Sequence, residues 1–360
     1  VGVALSIAVL AWVFTPLLAG AAVSFEGKQI RLMIGYPPGG GHDLEARIIA
    51  RHLAKYLPGK PSIIVQNMPG AGGMIMGAYV YHRGKPNGTI MGLFGSSHAL
   101  QPLLLKPDDV KYNLKKMSVV WSIAGVNIEI VRDFLNAKTA KDFLKVDPDK
   151  IVVAGRSKVG SSCIRGQLAL QLLKIKGYRK VCGYGGTSPI KAAMERGEAS
   201  YFTASAAHLI GGGAFVDLHN RGLVNPVWQA GMLKSDGSIV RAPSVKGDVP
   251  TLQEFLTSVN GKPPSGPMWE ARKAVSLGIS AINRTLVTPP GTPSEVVSTL
   301  RKGIKQVAKD PKFIARWEQI FGQPLAPLLV APEDGEKAKN DVLKPAPWQG
   351  FLKEFVWGKS

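Results

Sequence analysis

Four short runs of glycine and hydroxyl residues stand out as places where this 360-residue chain could do chemistry. They are Pro37-Pro38-Gly39-Gly40-Gly41-His42-Asp43, Gly95-Ser96-Ser97-His98, Gly160-Ser161-Ser162 and Gly185-Gly186-Thr187. Each lies where a strand-like apolar run gives way to helical periodicity. The first turn of a helix leaves backbone N–H groups unpaired, and a ligand oxygen can satisfy them. Glycine lets that ligand approach the main chain and permits positive φ. In open α/β sheets the ligand crevice lies beyond the carboxyl ends of the strands, where such turns sit. The chemistry they suit is non-covalent capture of an anion. A tight connection alone explains one glycine turn; four at corresponding positions in two halves point to binding.

The candidate ligand-binding residues are Tyr36, Pro38, Gly39, Gly40, Gly41, His42 and Asp43 from the first turn and Ser96, Ser97 and His98 from the second. Gly160, Ser161, Ser162, Gly185 and Gly186 come from the next two, with Thr203 and Ser205 at the end of a later strand. His42 and His98 either donate to a carboxylate in the cleft or pack as plain imidazoles. Asp43 either caps its helix or recognises a donor on the ligand. Arg47, one turn on, reads as a structural ion-pair partner. There is no GxSxG elbow, no HExxH and no Cys-His pair at a recognisable family spacing, so no catalytic residues are expected. Neither GxGxxG nor GxxxxGK occurs, and no cofactor or metal is expected. Ser96 and Ser161 are the nucleophiles of one alternative, a secreted serine hydrolase.

The elements that must position these turns are strands over 29–36, 62–66 and 89–94, with helices from 43 onward and over 74–81. The pattern restarts with strands over 151–154, 180–184 and 198–204 and helices over 164–173 and 189–196. A strand within 276–287 and an amphipathic helix over 294–308 follow, the latter with Val296, Val297, Leu300, Ile304 and Val307 on one face. Strands alternating with helices imply an α/β fold with mostly parallel sheets. A chain much longer than one core of ~150 residues implies two lobes. They are expected as 23–125 with 250–360, and 126–249. Repeated crossings between them would form a hinge.

Composition narrows the partners. The net charge is +20, yet Lys and Arg are spread throughout and no known nucleic-acid reader motif appears, so nucleic acid is not an expected partner. Steering of anionic solutes, or a solubilising surface, suits the charge better. Residues 1–25 carry no charge, and the apolar run 3–18 ends in Ala19, Gly20, Ala21 and Ala22. That is a signal-peptide pattern over 1–22 without its basic n-region, an uncleaved anchor being the alternative. Cys163 and Cys182 either pair in an oxidising compartment or stay as buried thiols.

Taken in order, the loops resemble those of the receptor family of tripartite tricarboxylate transporters. Pro37 to Asp43 with Ala46-Arg47 is similar to the family's PPGGxxDxxAR segment. Asn67 with Pro69-Gly70-Ala71-Gly72-Gly73 is similar to NxPGAGG, and Pro86-Asn87-Gly88-Thr89 to PDGYT. Tyr184-Gly185-Gly186, Asp248-Val249-Pro250-Thr251 and Pro290-Gly291-Thr292-Pro293 are similar to YKGG, DVPT and PAGTP. The resemblance implies a two-lobed flytrap of periplasmic-binding-protein type, monomeric and exported to the periplasm. It would hold a small organic acid by main-chain amides, hydroxyls and water rather than an arginine clamp, and hand it to membrane permease subunits. Gly185 replaces the family's usual lysine, Thr203-Ala204-Ser205 stands where many members carry an acidic residue and Asn, and 259–274 is longer and more basic than usual. Ligand identity therefore stays open, as does a sensing rather than a transport role.

Overall fold

The computed structural model describes residues 23–234 and 236–358, and the leader expected over 1–22 lies outside them. Along the chain the strands are β1 Gln29–Ile34, β2 Ser62–Asn67, β3 Ile90–Gly95, β4 Val119–Ile123, β5 Asn127–Arg132, β6 Val152–Gly155 and β7 Arg179–Cys182. They continue with β8 Tyr201–Ser205, β9 Val224–Gln229, the small hairpin β10 Met232–Leu233 and β11 Ile239–Val240, then β12 Arg284–Val287 and β13 Leu329–Val330. Apart from the hairpin they form two sheets, one in the order β13-β4-β12-β3-β1-β2 and one in the order β7-β6-β8-β5-β9.

Period-2 alternation decides which face each side chain covers. On β1, Ile30, Leu32 and Ile34 are fully buried against Ala46, Ile49 and Leu53 of helix Gly41–Leu53 and Leu300 and Ile304 of helix Ser294–Val307. Met33 points the other way, into a core with Met76, Val80 and Leu100. Burying each such side chain contributes roughly 1.5–3 kcal/mol. In the second sheet Ile128 and Ile130 of β5 face one core while Val131 faces another. Helices thus cover both faces of both sheets, the packing of an α/β protein.

The sheets are mixed, which corrects the mostly parallel expectation. β1 runs parallel to β2 and β3, and β6 to β7 and β8. β12 lies antiparallel between β3 and β4, and β5 antiparallel between β8 and β9. β5 and β12 enter their sheets by crossing between them, not through a strand-helix-strand crossover, so nothing forces them parallel. The segment 276–287 also differs from a plain strand: a π-helical turn, Ala274–Gly278, and a 3₁₀ turn, Ser280–Ile282, precede β12. Helix Leu252–Asn260, expected with the first lobe, packs Leu252, Phe255 and Leu256 on the second sheet, where the Phe255 ring stacks on Trp228. An amphipathic helix follows whichever apolar surface is nearest, and β9 ends close by. Cys163 and Cys182 are joined by a disulfide with Cα atoms 6.0 Å apart. Among the described residues no helix is long and apolar enough to cross a membrane.

Candidate functional site

The carboxyl ends of β1, β3, β6 and β8 converge on one cavity between the sheets. It is lined by Tyr36, His42, Gly95, Ser96, Asn283 and Arg284 from the first sheet's side. Asn127, Arg156, Ser162, Arg165, Thr203, Ser205 and His208 line it from the second. Its volume is about 20 Å³, room for about one water. Hydrogen bonds of Ser96 and Ser97 to Ser161 join the two sides beside it.

Three arginines, Arg156, Arg165 and Arg284, stand in the lining. Arg165 is buried; its Nε donates to the Val275 carbonyl at 2.6 Å and its Nη1 to Asn127 Oδ1 at 2.9 Å. Burial, then the neighbouring Arg272, pull its pKa down to about 9, so it stays a cation at neutral pH. Arg284 is also buried, with Nη1 3.4 Å from Glu45 Oε2 and its guanidinium 5.1 Å from the Phe321 ring centroid. Partly exposed Arg156 stands 5.7 Å from the Tyr36 ring centroid and donates to Thr187 Oγ1 at 2.9 Å. Gly41 makes room for Arg284: a Cβ there would stand 2.7 Å from Arg284 Nη2 and 3.3 Å from His208 Nε2.

Two fully buried carboxylates form a layer behind them. Glu45 accepts from Trp121 Nε1 at 3.2 Å, and burial, partly offset by Arg284, pushes its carboxyl up to about 7. Glu129 is raised by burial against the opposing pull of Arg272, 2.6 Å away, and accepts from Thr203 Oγ1 at 3.3 Å. His42 and His208 are held neutral, first by burial and then by Arg284 and Arg156. His42 Nε2, His208 Nδ1, Asn127 Nδ2, Arg165 Nη2 and Arg284 Nε are buried and have no hydrogen-bond partner among the described residues. All five are nitrogens that donate, or can donate, and together they suit a guest rich in acceptors.

Of the residues singled out in the sequence, Tyr36, His42, Ser96, Ser162, Thr203 and Ser205 line the cavity, and Gly41 abuts its arginine. The others do not line it. Pro38 and Gly39 are exposed at the rim, and Gly40 caps the following helix through its backbone. Asp43 accepts from the Gly39 N–H, Arg47 and Asn67 Nδ2; burial alone would raise its pKa, but these bonds lower it. It braces the glycine loop instead of facing a guest. His98 is fully buried: its Nδ1 accepts from the Gly95 N–H at 3.1 Å, so Nε2 carries the hydrogen and donates to the Gly73 carbonyl at 3.1 Å. Burial holds it down at about 4, a neutral imidazole locking two turns together.

Ser97, Gly160 and Ser161 lie on the seam between the lobes. The Ser96 and Ser161 hydroxyls are 3.0 Å apart, and the Ser161 N–H donates to Ser97 Oγ at 3.2 Å. Neither Ser96 nor Ser161 is bonded to a histidine among the described residues. Gly160 caps helix Ser161–Leu172. Gly185 has φ +71° with nothing near its side-chain position, whereas a Cβ on Gly186 would stand 2.8 Å from Pro37 across the seam. Sequence reasoning missed Asn127, Arg156, Arg165, His208, Asn283 and Arg284. Arg156 carried a signal, as the cation immediately after β6. The others come together only through the topology.

Two α/β sheets meeting over a basic, hydroxyl-lined cavity define a two-lobed α/β fold. The solved periplasmic binding protein BugD matches with a TM-score of 0.70 at 20% identity over 91% of this chain and 97% of its own. MatC from Rhodopseudomonas palustris, solved with bound malate, matches with a TM-score of 0.65 at 19% identity over 91% and 98%. In sequence, protein BugT of Bordetella pertussis is 23% identical over 346 residues, 93% of this chain and 91% of that protein. No protein-family model matches the chain. At these identities the likeness shows the fold, a two-lobed α/β architecture like that of solved periplasmic binding proteins.

Proposed function

We propose that the chain is an extracytoplasmic solute-binding protein that captures a small organic acid between its lobes and presents it to the permease subunits of a tripartite tricarboxylate-type transporter. The observation that carries this reading is the convergence on one cavity of three guanidiniums, two imidazoles and the Asn127 amide, five of whose nitrogens are buried without a partner among the described residues. The malate held by MatC supports the ligand class. Each charge-assisted bond contributes ~1.5–3 kcal/mol. Four or five supply on the order of 10 kcal/mol before closure costs, against ~8 kcal/mol for micromolar affinity. Export by a leader over 1–22, a periplasmic location and a monomeric state belong to the same reading. So does the two-lobe division, with the first lobe split around the second.

Thermal unfolding of ligand-stripped protein against mono-, di- and tricarboxylates, amino acids and aromatic acids tests it. A true ligand at about a hundred times its dissociation constant adds ~2.7 kcal/mol of stability. A flat response to every acid would overturn the reading. Gly41→Val, which pushes a side chain at Arg284, should abolish the shift given by any acid that binds.

A further inference from the structure

Three helices that cover one face of the first sheet carry unpaired cations on their outer side. Helix Gly41–Leu53, helix Ser294–Val307 and helix Pro311–Phe321 bury their apolar stripes in the same core over β1, so their polar stripes share the opposite, outward face. They are packed closely together: a Cβ on Gly303 would stand 2.7 Å from Leu57, and His52 Nδ1 lies 2.8 Å from Asp310 Oδ2. Arg51 and Lys55 follow one another at helical spacing on the first helix and the 3₁₀ turn that extends it. Lys302, Lys305 and, just past the helix end, Lys309 do so on the second, and Lys312 and Arg316 on the third. All seven are exposed. The ion pairs these elements make use Arg47, His52 and Arg301 instead. Glu295 and Glu318 are the exposed carboxylates on the same helices, while Asp43 and Glu45 are buried and Asp310 is engaged by His52 and the Lys312 N–H.

Seven cations against two carboxylates leave a surplus of five on one face of a chain whose net charge is already +20. The residue types select the partner. Five of the seven are lysines, hydrated point charges on flexible stems, and the cores of protein–protein interfaces are depleted in lysine. Tyr56 is the large aromatic exposed on these elements, and one ring is no stacking platform for a run of bases. Such a face suits diffuse attraction to anionic headgroups, where each cation near the surface is worth roughly fivefold in partitioning. Tyr56 has the amphipathic ring that sits at headgroup level. We infer that the outer face of these three helices lies against the anionic headgroups of a lipid bilayer and holds the protein at a membrane surface without insertion. This contact is independent of what the cavity between the sheets holds.

Sedimentation of the full chain with vesicles tests this, using phosphatidylcholine alone and phosphatidylcholine with about one-third phosphatidylglycerol. Binding to the anionic vesicles is expected to be at least about tenfold tighter, and raising salt from about 0.05 M to about 0.5 M should remove that difference. Joint replacement Lys302→Glu, Lys305→Glu and Lys309→Glu should weaken anionic-vesicle binding by at least about tenfold. Lys138→Glu, Lys141→Glu and Lys145→Glu make the same change of charge on exposed side chains of the second lobe and should weaken it by less than about threefold. In the wild type, anionic vesicles should slow acetylation of Lys302, Lys305 and Lys309 by an amine-reactive reagent and leave Lys138, Lys141 and Lys145 unchanged. Equal losses in the two variants, or equal protection of the two lysine sets, would reduce the effect to net charge and overturn the assignment. Equal binding to both kinds of vesicle, or to neither, would also overturn it, and binding to polyglutamate in their place would give the face to an acidic protein.

Discussion

In the second lobe Glu129 sits 2.6 Å from Arg272, both fully enclosed; in the first, Glu45 and Arg284 are equally enclosed but 3.4 Å apart. The residue types are the same and the separations are not. Arg272 meets Glu129 through Nη2, and Arg165 beside it faces the cavity. Arg284 is held loosely and faces the cavity itself, while Glu45 is easily protonated. One pair is a structural tie, and the other keeps a cation available for a guest.

The largest effect that would break this comparison is on stability. Arg272→Met strands Glu129 as an uncompensated buried charge and should cost ~3–5 kcal/mol in urea denaturation. Arg284→Met should cost clearly less at pH 7, because Glu45 can take up a proton there, yet it should abolish acid binding. Equal losses would mean the two pairs do the same work.

A smaller effect lies in the pH dependence. Glu45 titrates at about 7 in the folded protein against ~4.3 for a free glutamate. A carboxyl raised on folding contributes stability that is fully present below the unfolded value and is lost as pH rises through the folded one. Between pH 4.5 and 8 this should remove roughly 3 kcal/mol from the wild type, and Glu45→Gln should flatten that limb. An unchanged profile in the variant would locate the titration elsewhere.

The smallest effect tests which lobe owns helix Leu252–Asn260. Thr251 Oγ1 accepts from the Glu254 N–H at 3.1 Å while Glu254 Oε2 accepts from the Thr251 N–H at 2.7 Å. Thr251→Ala should cost ~1 kcal/mol, and hydrogen exchange should show the loss in this helix and β9. Faster exchange in β1 and β3 would instead tie the helix to the first lobe.

How much could be read from the residues follows from what local sequence encodes. The glycine turns were legible because glycine and proline mark backbone geometry directly, and β1, β2, β3 and β6 because short apolar runs between such turns read as strands. Arg284 was not, since it lies 128 positions beyond Arg156 and belongs to no motif; only the insertion of β12 between β3 and β4 brings it to the cavity. The run Val126, Ile128 and Ile130 carries a period-2 signal for β5. His98 misled because its type suits a ligand, while its burial depends on Gly73, 25 residues away.

The place of β12 also bears on the order in which the molecule can assemble. The second sheet draws all its strands from 127–229, so it can complete itself once that stretch is free. The first sheet holds β3 and β4 together only through residues 284–287. Until the last quarter of the chain arrives it remains two fragments with open edges, prone to stray pairing. A nascent chain would therefore raise its later half-structure first, and its earliest residues would wait longest for their final neighbours.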